Sequence, residues 1–321
     1  MGLNTLRNCV KLCTLNTFKS RNYCAGIEST QNVSSLIENW EKTFKRNNIS
    51  EPDLSIRNIM VHVLDLSSIE ELTSVSSRVL STAQISNLEK FCRCRLSYMP
   101  IQYIIGGWQF IDLNVRLRPP VFIPRPETEE FVDIITKQIK AANLAAKILE
   151  VGCGSGVISL SILKDLAQIE CTAIDQCKLA CELTLQNAKL NDIDMKRMHV
   201  CQAKLTPDGI SDINFERKFD FIVSNPPYIS ENLLPTLSPE VILYEDTQAL
   251  DGGHDGLKVI KDIINLAPKL LQPYGRLFLE TAPEHPEMIR DYLMKTRSKL
   301  HVVKVYRDFT KRNRFIEMIN N

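Results

Sequence analysis

Gly152, Gly154 and Gly156 stand at alternate positions between an expected strand at 147–151 and a helical stretch opening at Val157, in the segment ILEVGCGSGVISLSIL. Glycine is needed where backbone turns tightly and a ligand approaches closely, because a Cβ would collide. Strand, glycine turn and helix in succession commit this part of the chain to one kind of unit, and the unit repeats. Residues 147–151, 170–174, 199–203, 219–224 and 275–280 read as strands separated by helical stretches, which predicts a mostly parallel, doubly wound α/β sheet. The tail segments HVVKVYRDFT and RFIEMI add an expected antiparallel hairpin.

The glycine spacing is G-x-G-x-G, one residue short of the dinucleotide pattern G-x-G-x-x-G. No phosphate-clamping G-K-S/T follows, and no basic residue falls between Gly152 and Leu163. The next strand ends in CTAID, which puts Asp175 at a strand carboxyl end, where a carboxylate accepts hydrogen bonds from ribose hydroxyls. A nucleoside without a polyphosphate fits these features, and they point to S-adenosylmethionine. Glu150, Gly152, Cys153, Gly154, Ser155, Gly156 and Asp175 are the candidate cofactor contacts, with Asn225 added from the segment below.

That segment, SNPPYI, follows the fourth expected strand at its carboxyl edge. Pro226 and Pro227 fix φ and withhold two N–H donors, so rigid carbonyl acceptors are left exposed. Asn225 adds a side-chain carbonyl. Acceptors aimed at one point suit an NH2 group, and the reaction they support is methyl transfer to a planar amide or amine nitrogen, with Tyr228 flanking the plane. Asn225, Pro226 and Tyr228 are the catalytic candidates, and Pro227 joins them as a substrate contact. The motif by itself leaves glutamine and adenine both open.

Ahead of the sheet, residues 33–105 carry helical periodicity at Leu36, Ile37, Trp40 and Phe44, then at Ile56, Ile59, Met60, Val63 and Leu64. Residues 106–126 alternate as a β-hairpin and leave through Pro119, Pro120, Pro124 and Pro126. Ten basic against nine acidic residues within 30–118, and a formal charge of +1 for the whole chain, give no electrostatic footprint for nucleic acid or an anionic membrane. The ten cysteines contain no C-x-x-C pair and read as free thiols, with no metal expected. Residues 1–27 carry Arg7, Lys11, Lys19 and Arg21 and no acidic residue, the composition of a mitochondrial transit peptide.

Five segments together resemble the HemK or PrmC family of protein-(glutamine-N5) methyltransferases: PIQYIIGGWQF at 100–110, FIPRPETE at 122–129, LEVGCGSG at 149–156, FDFIVSNPPYI at 219–229 and ALDGGHDGL at 249–257. The resemblance implies a Rossmann-like class I S-adenosylmethionine-dependent methyltransferase domain at 127–321. Before it come an N-terminal helical substrate-recognition domain at 30–105 and the linking β-hairpin at 106–126. It further implies methylation of the glutamine in the Gly-Gly-Gln motif of peptide chain release factors; the basic start at 1–27 adds the expectation of a mitochondrial class I release factor in the matrix, and a monomer is the default expectation. Arg125 and Glu127 become candidate substrate contacts. The competing account of this segment is hairpin-exit structure with Thr128 as a helix cap. Two departures stand out. Lys204 and Leu205 occupy a region where relatives carry an acidic and an aromatic residue near adenine, and LETAPEHPE keeps Glu280 but lacks the family's glycine. An adenine-specific nucleic-acid methyltransferase and a catalytically silent organellar assembly factor are the alternatives.

Overall fold

The structure, a computed structural model, describes residues 32–142, 145–206, 209–211 and 218–321. The expected transit peptide lies outside the described residues. The chain divides into two compact units, Met1–Ile105 and Gly106–Asn321.

The first unit is helical: α1 (Val33–Arg46), α2 (Pro52–Leu64), α3 (Thr82–Leu96) and the short α4 (Ile101–Ile105). Local chemistry sets the helix starts. Asn32 accepts from the Ser35 N–H at 2.9 Å, Pro52 opens α2, and Ser81 with Gln84 forms a reciprocal capping box on α3. Leu36, Phe44, Ile56, Ile59, Met60 and Leu88 form its interior. Arg95 is buried there and held by the Ser55 hydroxyl at 3.0 Å, the Met99 carbonyl at 3.1 Å and the Ser50 hydroxyl at 2.8 Å. A desolvated guanidinium tolerates that position only because its donors are met.

The second unit opens with the hairpin β1 (Gly107–Phe110) and β2 (Leu113–Arg116), then α5 (Pro126–Ala142), β3 (Lys147–Val151), α6 (Val157–Asp165), β4 (Glu170–Asp175), α7 (Lys178–Leu190) and β5 (Met198–Gln202). A two-residue-per-strand ribbon, β6 (Leu205–Thr206) with β7 (Gly209–Ile210), precedes β8 (Phe219–Ser224). The short α8 (Pro239–Tyr244), α9 (Lys258–Leu270), β9 (Leu271–Glu280), α10 (His285–Thr296), β10 (Leu300–Arg307) and β11 (Asn313–Asn320) complete it.

The main sheet has seven strands in the order β10-β11-β9-β8-β3-β4-β5, with β11 antiparallel to both its neighbours and the other pairings parallel. This is the doubly wound α/β sheet with a terminal antiparallel hairpin that the sequence predicts. Strand β9 begins at Leu271 rather than at 275, because the β8–β9 pairing skips between Phe219 and Phe221. Pro273 and the positive-φ Tyr274 sit in that irregularity, so a period-2 reading does not see through it. Ile148, Leu149, Ile222, Val223, Leu277 and Leu279 are buried between helices, where Ile260, Ile263 and Ile264 of α9 and Ile289 of α10 contribute the covering side chains.

Chain order fixes where a ligand goes. From β3 the chain winds outward through β4 and β5, then returns to β8 on the opposite side of β3. The carboxyl ends of β3 and β8 therefore flank the topological switch point, where open α/β sheets hold ligands. The glycine loop follows β3 and SNPPYI follows β8.

Candidate active site

A cavity of about 920 Å³ opens at this switch point. Its wall includes Glu150, Gly152, Cys153, Gly154, Ser155 and Asp175 at one end, and Arg125, Asn225, Pro226, Pro227 and Tyr228 at the other. Gly156 and Glu127 are off the wall. Lys204 and Leu205 line it too.

The glycine end is held by backbone. Gly152, Gly154 and Gly156 have φ of 76°, 56° and 87°, a region costly for residues with a Cβ. A Cβ at Gly152 or Gly154 would meet nothing within 4 Å, so these two present bare backbone to open space that a ligand can fill. At Gly156 a Cβ would come within 2.8 Å of Thr184 Cγ2, so this glycine serves packing against α7. The helix α7 pins the loop from behind. The Thr184 hydroxyl donates to the Gly154 carbonyl at 3.1 Å, and Asn187 Nδ2 donates to the Ser155 carbonyl at 2.9 Å. Asn187 Oδ1 also accepts from the Arg116 N–H at 2.8 Å, which ties β2 to the same helix. Neither Thr184 nor Asn187 was a sequence candidate, and their i, i+3 spacing within an apolar helix face was the available signal.

Asp175 sits at the end of β4 and accepts from the Gly154 N–H at 2.9 Å through Oδ2 and from the Cys177 N–H at 2.8 Å through Oδ1. A carboxylate offers about four lone-pair sites, so acceptor capacity remains for ligand hydroxyls. Burial raises its pKa, against the two backbone hydrogen bonds. Glu150 is 1% exposed. Its Oε2 accepts from the N–H and the hydroxyl of Ser159, while Oε1 has no partner among the described residues. Burial pushes its carboxyl up to about 8, and the Ser159 contacts only partly oppose that. Bare glycine backbone and a carboxylate at the strand end suit an adenosyl ligand.

The other end is held by side chains. Thr128 is not a helix cap. It lies inside α5, buried, and its hydroxyl donates to Glu280 Oε2 at 2.9 Å. Tyr228 donates to Glu280 Oε1 at 3.3 Å, and Asn225 Nδ2 donates to Thr128 Oγ1 at 3.4 Å. Burial pushes the Glu280 carboxyl up to about 7, with Thr128 and Arg314 opposing the rise and Glu127 adding to it. Burial likewise raises the Tyr228 phenol, helped by Glu280. Glu127 thus acts on this cluster through its charge, while Arg125 is paired with Glu245 at 2.6 Å and lies over the Phe122 ring at 4.7 Å.

The ALDGGHDGL segment supports SNPPYI directly. The Ile229 N–H donates to the Leu250 carbonyl at 2.9 Å, and the Gly252 N–H donates to the Ile229 carbonyl at 2.8 Å. A Cβ at Gly256 would lie 2.5 Å from the Tyr228 carbonyl oxygen and 2.7 Å from His285 Nε2. Only glycine lets this loop press against the backbone of the Pro-Pro-Tyr turn.

Comparison with known proteins finds matches over both units of the chain. Residues 127–251 match the family described as Methyltransferase small domain, and residues 35–106 match the PrmC N-terminal domain. The chain is 38% identical over 294 residues to the MTRF1L release factor glutamine methyltransferase of Homo sapiens, spanning 88% of this chain and 86% of that protein. It is 31% identical over 251 residues to the release factor glutamine methyltransferase of Thermodesulfovibrio yellowstonii, spanning 78% and 86% respectively. Magnesium protoporphyrin IX methyltransferase from Synechocystis PCC 6803, solved with bound SAM, aligns with 61% of this chain and 80% of that one at 15% identity and a TM-score of 0.41.

Proposed function

The chain belongs to the release factor glutamine methyltransferase family, an S-adenosylmethionine-dependent class of enzyme, and from that premise we propose how its cavity does the chemistry. The resemblance seen in the five sequence segments is borne out, and so is the expected activity. The substrate nitrogen is the side-chain amide of the glutamine in a release factor's Gly-Gly-Gln loop, and the modification supports translation termination. The observation that carries this reading is the placement of Asn225, Pro226 and Tyr228 on the same cavity wall as the bare glycine backbone.

S-adenosylmethionine, when bound, supplies a methyl group activated by a positively charged sulfur. Glu150, Gly152, Cys153, Gly154, Ser155 and Asp175 hold it, with Gly156 fixing the loop against α7. The Asn225 side-chain carbonyl and the Pro226 carbonyl accept the two N–H bonds of the glutamine amide. An amide nitrogen is a weak nucleophile because its lone pair is delocalised, so two acceptors aimed at its protons stabilise the positive charge it acquires. Orientation contributes as well, since a held amide attacks as if in a unimolecular step. No strong base is required, because the nitrogen proton becomes acidic on alkylation. Tyr228 and Pro227 bound the amide plane, and Arg125 shapes the wall beside it.

The helical unit is proposed to engage the release factor, in keeping with its match to the PrmC N-terminal domain. The basic, acid-free composition of residues 1–27 supports action in the mitochondrial matrix, on a class I release factor there. A methyl-transfer assay with labelled S-adenosylmethionine tests the reading by offering a mitochondrial release factor, DNA and RNA in parallel. Label confined to the release factor supports it. Label on adenine instead, or on none of the three, would sink it.

A further inference from the structure

We propose that Thr128 and Glu280 are positioning residues that set which end of the Asn225 amide faces the substrate. The inference rests on the methyl-transfer reading above. It starts from a count of protons. Glu280, as a carboxylate, has only acceptors, and it receives two donors: the Thr128 hydroxyl at 2.9 Å on Oε2 and the Tyr228 hydroxyl at 3.3 Å on Oε1. A threonine hydroxyl carries a single proton. With that proton committed to Glu280, Thr128 Oγ1 has only lone pairs left, so the Asn225 group that meets it at 3.4 Å must be the NH2. The Asn225 carbonyl oxygen is thereby turned away from Thr128 and left for the cavity that Asn225 lines.

The orientation matters because oxygen and nitrogen of an asparagine amide are nearly isosteric. A flipped Asn225 presents donors to a substrate that itself presents donors, and an amide NH2 is then repelled. A lone asparagine at the cavity wall has no intrinsic preference between the two. The Glu280–Thr128–Asn225 chain supplies one, and the Glu280–Tyr228 bond ties Tyr228 to the same carboxylate. Residues 128, 225, 228 and 280 come from α5, the loop after β8 and the end of β9, so the relay joins three elements at one buried carboxylate.

The charge on Glu280 is what makes the relay directional. The groups that act on it are Tyr228 from the Pro-Pro-Tyr turn, Thr128 and Glu127 from α5, and Arg314 from β11, which is itself held by Asp308 at 3.1 Å. Once Glu280 takes up a proton it becomes a donor, Thr128 is free to turn its own proton to Asn225, and the asparagine loses its bias. Methyl transfer at saturating substrates is therefore expected to fall as pH drops through the Glu280 titration, which burial places at about 7.

Thr128→Val, Thr128→Ser and Glu280→Gln, made in the full chain and assayed on a release factor, test this. Thr128→Val keeps the shape and removes the relay, so kcat/KM should fall on the order of 10- to 100-fold with the cofactor dissociation constant, read by calorimetry, within about threefold of wild type. Thr128→Ser retains the single proton and should restore activity to within about threefold. Glu280→Gln should lower kcat roughly tenfold and remove the acid limb that wild type shows. The proposal is overturned if a folded Thr128→Val keeps wild-type kcat/KM, if Thr128→Ser is as impaired as Thr128→Val, or if Glu280→Gln retains the acid limb. A wild-type chain that transfers no methyl to a release factor overturns the underlying reading, and the relay with it.

Discussion

The two ends of the cavity are built on different principles. At the cofactor end, the chain folds on itself over a few residues: Gly152, Gly154 and Gly156 turn the backbone, and Asp175 receives the Gly154 N–H at 2.9 Å. At the substrate end, Thr128, Asn225, Tyr228 and Glu280 meet from positions as much as 152 residues apart. One end depends on backbone that carries no side chain, and the other on side chains whose proton positions must agree.

The same substitution breaks the two ends differently. Gly256→Ala places a Cβ 2.5 Å from the Tyr228 carbonyl oxygen, and backbone cannot yield as a side chain can. Transfer should drop by about 100-fold or more, since misplacement of a reacting group by about 1 Å costs that much. Steady-state kinetics on the purified variant checks this, with cofactor affinity expected to change far less. Gly156→Ala meets instead the methyl of Thr184 at 2.8 Å and Leu160 Cδ1 at 3.1 Å, both side-chain atoms, at a φ of 87°. Calorimetry should show cofactor binding weakened by roughly tenfold, with about 1–3 kcal/mol of stability lost to backbone strain.

Glu150 separates stability from function at the cofactor end. Its folded carboxyl titrates at about 8 because burial disfavours the charge, above its ordinary value of 4.5. The folded state thus holds a proton that the unfolded chain has released. The carboxyl's stabilising contribution is complete below the ordinary value and is lost as pH rises through about 8. Glu150→Gln should remove this slope and raise stability at neutral pH by on the order of a few kcal/mol, while weakening cofactor binding. Denaturant melts between pH 5 and 9 would show the wild-type decline and its absence in the variant. Arg125→Ala is expected to have the smallest effect. It removes the 2.6 Å partner of Glu245, whose side chain is 1% exposed, but Arg125 is itself 32% exposed. Thermal melting should register a loss of about 1–2 kcal/mol, with a modest rise in KM for the release factor.

The contrast between the ends also explains what could be read from the sequence. Spacing reports local geometry, so G-x-G-x-G after a strand and Asp175 at the next strand end pointed to the loop proposed to hold the cofactor. The order of strands placed SNPPYI beside it. Asn225 was legible as an acceptor because two prolines fix the backbone that follows it. Thr128 was not legible. In FIPRPETE it looks like a helix cap, and only the fold reveals that α5 carries it to Glu280. Asn187 was hidden for a similar reason, since a polar residue in an otherwise helical pattern says nothing of the hairpin and glycine loop it joins. The start of β9 was missed where Pro273 and Tyr274 break the alternation without ending the strand.

The central claim is that Asn225 presents an acceptor to a glutamine amide. Its most direct test compares wild type with Asn225→Ala, using mass spectrometry to locate the methyl group on a mitochondrial release factor. Wild type is predicted to methylate the side-chain nitrogen of the Gly-Gly-Gln glutamine, and Asn225→Ala to lose transfer by about 100-fold or more, as when a transition-state hydrogen-bond partner is removed. Methyl groups found at other positions, or undiminished transfer by Asn225→Ala, would contradict it.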